Sequence, residues 1–444
     1  MNSFNGTLDI FLASAGTGKT HKLMNIIDHH LKEGIPIDRI AFVTFTKKGA
    51  EVAQLRTAEQ FGFPLTSLKN FRTIHSMAFR GCNASREVMM DYNKYKDFGE
   101  QAGYNFGTLG LNTQEGIDWN EMKDQQLVTI EQLYRNNKPY CESIMEDRVD
   151  YADLVRYMQL YVKYKRTFNY VDFTDLLESY IAKGITEDVD VVCLDEMQDS
   201  SLLQWQMVFQ AFSKAQHIYV AADIKQAVFT YAGASPETVL NLRGTQHMLE
   251  LSYRVPSRIL AFAQNIVDVM QLTDHSHCKA VNDGGVVEEI TCIDELTGQF
   301  DINKSYFFLA RNKKFFKKFE EWCHANGLPY YLRGEPYFTD SEKIEFREGR
   351  TDDWDPERLD FARYCYSKGT FYRTPNINIS TIHTVKGDEA DVVVLMSDIS
   401  KAVASQLEVD EDSEHRVFYV AATRAKEKLI IIQPQTRLYY PYLF

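Results

Sequence analysis

Eight short apolar runs along the chain predict the buried strands of parallel β-sheets. Most of them are rich in Val, Ile or Phe with little polar alternation, which is typical of strands covered on both faces. Helix-forming stretches lie between the runs, and this alternation predicts an α/β fold with parallel sheets. The runs are LDIFLA (8–13), IAFVTF (40–45), DVVCLD (190–195), IYVAAD (218–223), SYFFLA (305–310), INIST (377–381), DVVVLM (391–396) and KLIIIQ (428–433).

Two long intervals interrupt this alternation. Residues 81–170 are rich in Tyr, Asn, Glu and Met, and they predict a mostly helical insertion without a clear strand. Residues 336–376 are strongly charged, and we interpret them as a second, shorter insertion. The apolar runs on either side of these intervals therefore predict two sheet-forming regions that are each interrupted once.

Composition limits the possible classes only loosely. The chain has 444 residues, of which 44% are hydrophobic, so it can bury the cores of two to four domains. Its formal net charge of −13 argues weakly against nucleic-acid binding through overall charge, although a local basic channel can lie on an acidic protein. The sequence shows neither a secretory signal pattern nor an apolar run of membrane-spanning length, and its seven cysteines form no CxxC pair. We therefore expect a cytoplasmic protein with free thiols and no membrane partner.

The segment LASAGTGKT (12–20) matches the phosphate-binding loop G-x-x-x-x-G-K-[ST], except that Ala13 stands at the first glycine. It follows an apolar run and precedes the helix-forming stretch KTHKLMNIIDHHLK, which is the context that the loop requires. In such a loop Lys19 reaches the β- and γ-phosphates and Thr20 holds Mg²⁺. The backbone that surrounds the phosphates is supplied by Ala15, Gly16, Thr17 and Gly18.

The run VVCLDEMQDS provides a second candidate for the same chemistry. Asp195 follows four apolar residues at a strand end, where it can hold Mg²⁺ through water, and Glu196 can orient or deprotonate an attacking water. A strand that simply ends in solvated acidic residues is the alternative. The phosphate loop elsewhere in the chain favours the catalytic interpretation.

These motifs resemble those of a known family. DEMQDS resembles the D-E-x-Q-D signature of the UvrD/Rep-type DNA helicases of superfamily 1A, in a compact form with reduced accessory domains. Further segments resemble motifs of this family, in the family's order, over nearly the whole chain. They are AFVTFTKKGAEVAQLR (41–56), RTIHSMAFR (72–80), VAADIKQAVFTYAGA (220–234), LELSYRVPSRIL (249–260), STIHTVKGDEADVVVL (380–395) and EHRVFYVAATRAKEKLII (414–431).

The resemblance implies an ATP site with Mg²⁺ and a division into motor domains. It implies that Gln226 senses the γ-phosphate and that Arg254 and Arg424 act as arginine fingers from the second motor domain. The remaining implied nucleotide contacts are Tyr253 on the adenine, Glu389 at the ribose, and Gly387. Without the resemblance, Arg424 reads as a surface helix arginine and Tyr253 as a core aromatic residue.

The resemblance also implies a track for single-stranded DNA. The aromatic residues that match the family's base-stacking positions are Phe45, Phe229 and Tyr231. Plausible phosphate or sugar contacts are Thr46, His75 and His383. Tyr231 and Ala232 stand where the family has Trp-Arg, so we expect a weaker central stacking site.

The implied domain boundaries follow the two insertions. The first RecA-like P-loop motor domain comprises 1–80 and 171–250, and the helical insertion 81–170 corresponds to a reduced first accessory domain. The second RecA-like domain comprises 251–335 and 377–444. The charged segment 336–376 corresponds to a vestigial second accessory domain.

The leading hypothesis is an ATP-dependent translocase and helicase that moves 3′-to-5′ on single-stranded DNA and unwinds tailed duplexes. The expected context is replication, repair or recombination, with proteins of those processes as partners, in a bacterium or a virus of one. The alternatives are a DNA-stimulated ATPase that does not separate strands, a P-loop kinase for a small molecule, and a non-enzymatic nucleic-acid-binding protein. The two distant arginine motifs argue against a kinase, and the intact motif residues of the phosphate loop and of DEMQDS argue against a non-enzymatic protein.

Overall fold

The chain folds into two compact units, Met1–Glu250 and Leu251–Phe444, and each contains a mainly parallel β-sheet. The structure is a computed structural model, and it describes residues 4–106, 123–136, 150–274 and 276–444. The α/β class with parallel sheets in two domains, as expected for RecA-like motor domains, is confirmed. None of the helices in the described ranges combines the length and the apolar character that crossing a membrane requires.

The described part of the first unit contains a six-stranded sheet in which every neighbouring pair is parallel. The strand order is β3-β2-β4-β5-β1-β6. Because all strands run the same way, the loops that leave their carboxyl ends meet at one edge of the sheet, where ligands of open α/β sheets bind. The strands, numbered in chain order, are β1 (Thr7–Leu12), β2 (Ile40–Thr44), β3 (Phe71–Thr73), β4 (Val191–Asp195), β5 (His217–Ala222) and β6 (Thr245–Met248).

Alternate residues of these strands pack against opposite faces of the sheet. In β4, Val192 and Leu194 belong to one apolar cluster, whereas Val191 and Cys193 belong to another. Both clusters are covered by helices, so the central strands are buried on both sides, as their apolar sequences predict. The described helices of this unit are Lys19–Lys32, Lys47–Phe61, Ile74–Gly81, Tyr92–Ala102, Lys123–Asn136, Tyr151–Phe168, Phe173–Ala182, Leu202–Ala211 and Pro236–Leu240.

The insertion 81–170 has a core of its own. Its described parts form three helices, in agreement with the helical prediction, while 107–122 and 137–149 lie outside the described residues. The buried side chains of this core are mostly aromatic, which explains the density of Tyr in the sequence. They include Tyr95, Phe98, Phe106, Tyr157, Tyr161 and Tyr164.

The second unit contains a seven-stranded sheet within the described ranges, in the order β12-β11-β13-β10-β14-β15-β9. Its pairs are parallel except for the short β11–β12 hairpin, and β7 pairs with β8 separately. The strands are β7 (Leu251–Ser252), β8 (Lys279–Ala280), β9 (Val286–Ile290), β10 (Tyr306–Ala310), β11 (Tyr331–Leu332), β12 (Glu335–Pro336), β13 (Ile377–Thr381), β14 (Ala390–Met396) and β15 (Ala425–Ile432). The described helices are Ser257–Asp268, Phe316–Asn326, Asp340–Arg347, Pro356–Ser367, Lys401–Leu407 and Glu411–Ala422.

The charged segment 336–376 is built into the core of the second unit. It contains the helices Asp340–Arg347 and Pro356–Ser367, and its Phe338, Phe361 and Phe371 are buried in the same cluster as the side chains of β10 and β13. Its charges therefore lie on the outer faces of helices whose inner faces are apolar. The correspondence with an accessory domain stays a prediction.

Candidate active site

The predicted phosphate loop joins β1 to the helix Lys19–Lys32. Gly16 and Gly18 have φ of 74° and 78°, a left-handed conformation that glycine adopts without the steric cost of a Cβ. Gly18 is the helix N-cap and contributes no side-chain cap, so the helix N-terminus faces the loop through its backbone N–H groups, as in anion-binding sites. Ala13 donates its N–H to the carbonyl of Ala222 at 3.0 Å. It thus continues the β1–β5 pairing and has no positive φ, so this position does not require the glycine of the motif.

Lys19 and Thr20 contact the acidic residues at the end of β4. Thr20 Oγ1 donates a hydrogen bond to Asp195 Oδ2 at 2.8 Å. Lys19 Nζ lies 3.2 Å from Glu196 Oε1 and 3.9 Å from Asp223 Oδ2, which follows β5. Residues from the ends of three strands therefore meet around the lysine ammonium group.

The electrostatics of this cluster are dominated by burial and by an excess of carboxylates. Burial raises the pKa of Asp195 to about 6, the charge of Glu196 adds to this effect, and Lys19 opposes it. Burial alone acts to lower the pKa of Lys19, but the charges of Glu196, Asp223 and Asp195 outweigh it and raise that pKa. A hydroxyl and carboxylates are the oxygen ligands that Mg²⁺ prefers, so Thr20 and Asp195 fit the metal that the sequence predicts.

Glu196 is held in an unusual backbone conformation. Its φ of 57° and ψ of 35° are left-handed, which costs a non-glycine residue about 1–2 kcal/mol. Gln198 donates from Nε2 to Glu196 Oε2 at 2.5 Å and accepts the N–H of Asp223 on Oε1 at 3.1 Å. Gln198 therefore fixes the carboxylate that would orient the attacking water.

Asp223 and Gln198 were missed by sequence reasoning. Gln226, the predicted γ-phosphate sensor, donates from Nε2 to Asp223 Oδ2 at 2.5 Å, so Asp223 joins the sensor to Lys19. The available signal was the position of Asp223 directly after an apolar strand in VAADIKQ, as Asp195 is in VVCLDE. Both residues end central strands of one sheet.

The predicted base-stacking residues form one aromatic group. The rings of Phe45 and Phe229 are stacked with centroids 5.5 Å apart, and Tyr231 lies 6.2 Å from Phe229. All three are half-buried and lie on the loops that leave the carboxyl ends of β2 and β5. The structure thus brings them together at the edge of the sheet that also carries the nucleotide residues.

The two other DNA candidates of the first unit have structural contacts. Thr46 caps the helix Lys47–Phe61, because its Oγ1 accepts the N–H of Gly49 at 3.0 Å. The His75 ring meets the edge of Phe173 at 5.3 Å, and burial lowers the pKa of His75 to about 4. His75 is therefore neutral at pH 7 and can meet a phosphate as a hydrogen-bond donor, but not as a cation.

In the second unit, Tyr253 and Glu389 are exposed, whereas Arg254 is partly buried, with 20% of its side chain exposed. Tyr253 is 60% exposed, so its interpretation as a core aromatic residue is wrong. Arg254 Nε lies 3.9 Å from Glu389 Oε2, which places two predicted site residues side by side although they are far apart in the sequence. Gly387 has φ of 92° in the exposed turn before Glu389.

Arg424 and His383 are buried in the same unit. Arg424 is 1% exposed, so its interpretation as a surface arginine is also wrong. Its guanidinium donates to the carbonyls of Val420 at 3.0 Å and Asp388 at 3.3 Å, and to Thr423 Oγ1 at 3.2 Å. His383 is 2% exposed, and burial together with the charges of Arg311 and Lys386 lowers its pKa well below the usual range.

Comparison with known proteins agrees with this arrangement. Residues 1–247 match the model of the UvrD/REP helicase N-terminal domain, and residues 366–436 match that of the UvrD-like helicase C-terminal domain. The chain therefore belongs to the UvrD/REP family of superfamily 1 DNA helicases.

Individual relatives are distant. A probable DNA helicase of Mycoplasma pneumoniae is 23% identical over 98% of this chain and 82% of its own length. The ATP-dependent DNA helicase Rep of Escherichia coli is 22% identical over 76% of this chain, which spans only 54% of that relative. A solved structure of the PRRSV helicase aligns with 97% of this chain and 53% of its own at 12% identity, but its TM-score of 0.39 is too low for a residue comparison.

Proposed function

We propose that this chain is an ATP-dependent motor that translocates on single-stranded DNA in the 3′-to-5′ direction and unwinds duplex DNA in replication, repair or recombination. The observation that carries the proposal is the layout of the first unit. Its predicted nucleotide-binding residues and its aromatic group lie at the same edge of one sheet, where the strands have their carboxyl ends. A small-molecule kinase has no need for three half-buried aromatic rings at that edge.

The proposed hydrolysis divides the chemistry among the side chains described above. Lys19 binds the terminal phosphates, and Thr20 and Asp195 would hold Mg²⁺, which would neutralise the charge that develops on the phosphates. Glu196, oriented by Gln198, takes the proton of the attacking water. Gln226 contacts the γ-phosphate and lies three residues before Phe229, so one loop links phosphate sensing to the aromatic group.

A second connection between the two functions is a backbone hydrogen bond. The N–H of Ser235, which follows the aromatic group, donates to the carbonyl of Ser200, which follows Glu196 and Gln198, at 2.9 Å. This hydrogen bond joins the loop that carries the aromatic group to the loop that carries Glu196. In the second unit we propose that Tyr253, Gly387 and Glu389 contact the nucleotide and that Arg254 and Arg424 stabilise the transferring phosphoryl group.

A DNA-stimulated translocase that does not separate strands is the second candidate. The observation that favours it is the aromatic group itself, in which Tyr231 and Ala232 stand at the positions of the family's Trp-Arg. Both candidates share the nucleotide chemistry, so unwinding assays distinguish them. Duplexes with a 3′ tail, a 5′ tail or no tail report strand separation and its direction in one experiment, and we expect the 3′-tailed substrate to be unwound.

The test of the motor itself is steady-state ATP hydrolysis with and without single-stranded DNA. We expect strong stimulation by DNA, and we expect Lys19→Ala and Glu196→Gln each to reduce the stimulated rate by at least about 100-fold. Lys22→Ala is the matched control, because Lys22 is exposed on the same helix. Equal rates with and without DNA in the unsubstituted protein would refute the motor.

A further inference from the structure

Lys225 is a second lysine at the phosphate loop, and none of the family motifs gives it a role. Its side chain is fully buried, with 0% exposure, beside the proposed sensor Gln226. Its Nζ donates a hydrogen bond to Ser14 Oγ at 3.1 Å, within the phosphate loop. A buried lysine ammonium is costly unless charged or polar groups compensate it, so its placement at this loop calls for a reason.

Ser14 is fixed within the loop by its main chain. Its carbonyl accepts hydrogen bonds from Thr17 Oγ1 at 2.9 Å and from the Thr17 N–H at 3.3 Å. The residue before it, Ala13, is bonded to the end of β5. The lysine therefore contacts the part of the loop whose shape determines where the backbone N–H groups of the next residues point.

The backbone of Lys225 is also anchored to the sensing residues. Its N–H donates to Asp223 Oδ1 at 3.1 Å, and the other oxygen of that carboxylate accepts from Gln226. A single residue thus connects the carboxylate that holds the sensor to the loop that holds the phosphates. Lys225 is therefore hydrogen-bonded to both the phosphate loop and the sensor loop.

The charge balance at the site gives Lys225 a second effect. The connected cluster contains the carboxylates of Asp195, Glu196 and Asp223, and Lys19 is already within 4 Å of two of them. A bound triphosphate adds further negative charge to this buried region, where charges interact strongly. A second ammonium beside the loop reduces the repulsion that the triphosphate meets.

We propose that Lys225, acting through Ser14, is a positioning residue that shapes the phosphate loop for the triphosphate and couples it to the sensor loop. The inference rests on the proposed function, because it assigns the ligand as the ATP of the motor. It concerns ground-state binding of nucleotide, so loss of Lys225 raises the KM for ATP more than it lowers kcat.

The test compares Lys225→Met, Ser14→Ala and the double variant. Methionine keeps most of the buried volume of lysine while it removes the charge and the donor. The readouts are the affinity for a fluorescent non-hydrolysable ATP analogue, the KM and kcat of DNA-stimulated hydrolysis, and the thermal midpoint. We expect about tenfold weaker binding for Lys225→Met and about threefold for Ser14→Ala. The double variant should be no weaker than Lys225→Met, because both substitutions break one hydrogen bond.

Lys22→Met is the matched control, since Lys22 lies exposed on the phosphate-loop helix over the ring of Phe11, and its binding should equal that of the unsubstituted protein. The proposal is overturned if Lys225→Met binds the analogue within twofold of the unsubstituted protein. It is also overturned if the double variant shows the product of the single losses, since Lys225 then does not act through Ser14. Binding is measured without hydrolysis, so an absence of DNA stimulation counts against the motor and leaves this test intact.

Discussion

The two units hold their candidate residues in different ways. In the first unit, Thr20 is hydrogen-bonded to Asp195, and Lys19 and Gln226 both contact Asp223. Glu196 joins these two groups, because its side chain lies near Lys19 and its backbone N–H donates to Asp195. In the second unit, the candidate site residues differ in solvent exposure, because Tyr253 is 60% exposed whereas Arg424 is 1% exposed. The first unit thus carries a preassembled site, while the second combines accessible residues with buried ones.

This difference shows that residues predicted from equally good motif matches can differ in how much they stabilise the fold. Arg254 has an exposed carboxylate, Glu389, at 3.9 Å, which is a loose ion pair of small stabilising value. Arg424 satisfies two carbonyls and a hydroxyl of its own unit. A buried acceptor that loses its donor costs about 1–3 kcal/mol, so Arg424 stabilises the fold whatever else it does.

The largest expected effect comes from substituting these two arginines separately. Arg254→Ala should lower the kcat of DNA-stimulated ATP hydrolysis by about 10³-fold, the effect of losing an arginine finger, with little change of thermal midpoint. Arg424→Ala should also lower kcat, but together with a loss of about 1–3 kcal/mol in the free energy of unfolding. The carbonyls of Asp388 and Val420 each lose a hydrogen bond, although Thr423 Oγ1 still donates to Val420. The measurements are steady-state kinetics and chemical denaturation of each variant.

Arg258→Ala is the control for this pair, because Arg258 is exposed on the helix that follows Arg254. Arg258→Ala should change neither the kcat of DNA-stimulated ATP hydrolysis nor the free energy of unfolding. A stable Arg424→Ala variant with reduced kcat would remove the distinction between the two arginines, and full activity of Arg254→Ala would show that it is not a finger.

Most of the fold could be predicted from the sequence, because a strand that is buried on both faces has a nearly continuous apolar sequence. Each of the eight apolar runs coincides with a parallel strand, from β1 to β15. The strands β6 and β9 at the sheet edges were missed. The sequence of β6, TQHM, is mostly polar and exposed, and that of β9, VVEEI, mixes apolar and acidic residues and is only partly buried, since an edge strand is covered less than a central one. The two- and three-residue strands are too short to show any periodicity.

The candidate site was predictable in position but not in its connections. The motifs predicted Lys19 in the loop region after β1 and Asp195 at the end of β4, two strands that β5 separates in the sheet. The left-handed backbone of Glu196 and the link from Gln198 to Asp223 depend on side chains that meet only after the loops fold together. The burial of Arg424 likewise depends on the carbonyl of Asp388, which lies on another segment.

A smaller effect is expected from substitutions in the aromatic group. They test whether the first unit has a preformed binding site for single-stranded DNA as well as for the nucleotide. Phe229 contacts both Phe45 and Tyr231, so Phe229→Ala should weaken binding of single-stranded DNA most. Loss of one stacking ring costs about 1–3 kcal/mol, which corresponds to roughly 5- to 150-fold in Kd. Fluorescence anisotropy of a labelled oligonucleotide measures this, and ATP hydrolysis without DNA should remain unchanged.

Tyr366→Ala is the matched control for the aromatic group, because Tyr366 is 59% exposed in the second unit and lies on the helix Pro356–Ser367. Phe45→Ala and Tyr231→Ala should each cost less than Phe229→Ala. If all three variants bound DNA as tightly as the unsubstituted protein, the rings would serve packing, and the DNA track would lie elsewhere.

The smallest expected effect concerns His75, a candidate DNA contact that burial keeps neutral. Because burial holds its folded pKa at about 4, below the usual 6.5, His75 takes up no proton between pH 8 and pH 6. The slope of log K against log salt for single-stranded DNA should therefore contain no contribution from His75 at either pH, although each neutralised phosphate would add about 0.7. His75→Gln, which keeps a hydrogen-bond donor, should leave both slopes unchanged and shift Kd by no more than about threefold. A slope that steepens at pH 6 and returns to its pH 8 value in His75→Gln would mean that this histidine binds phosphate as a cation.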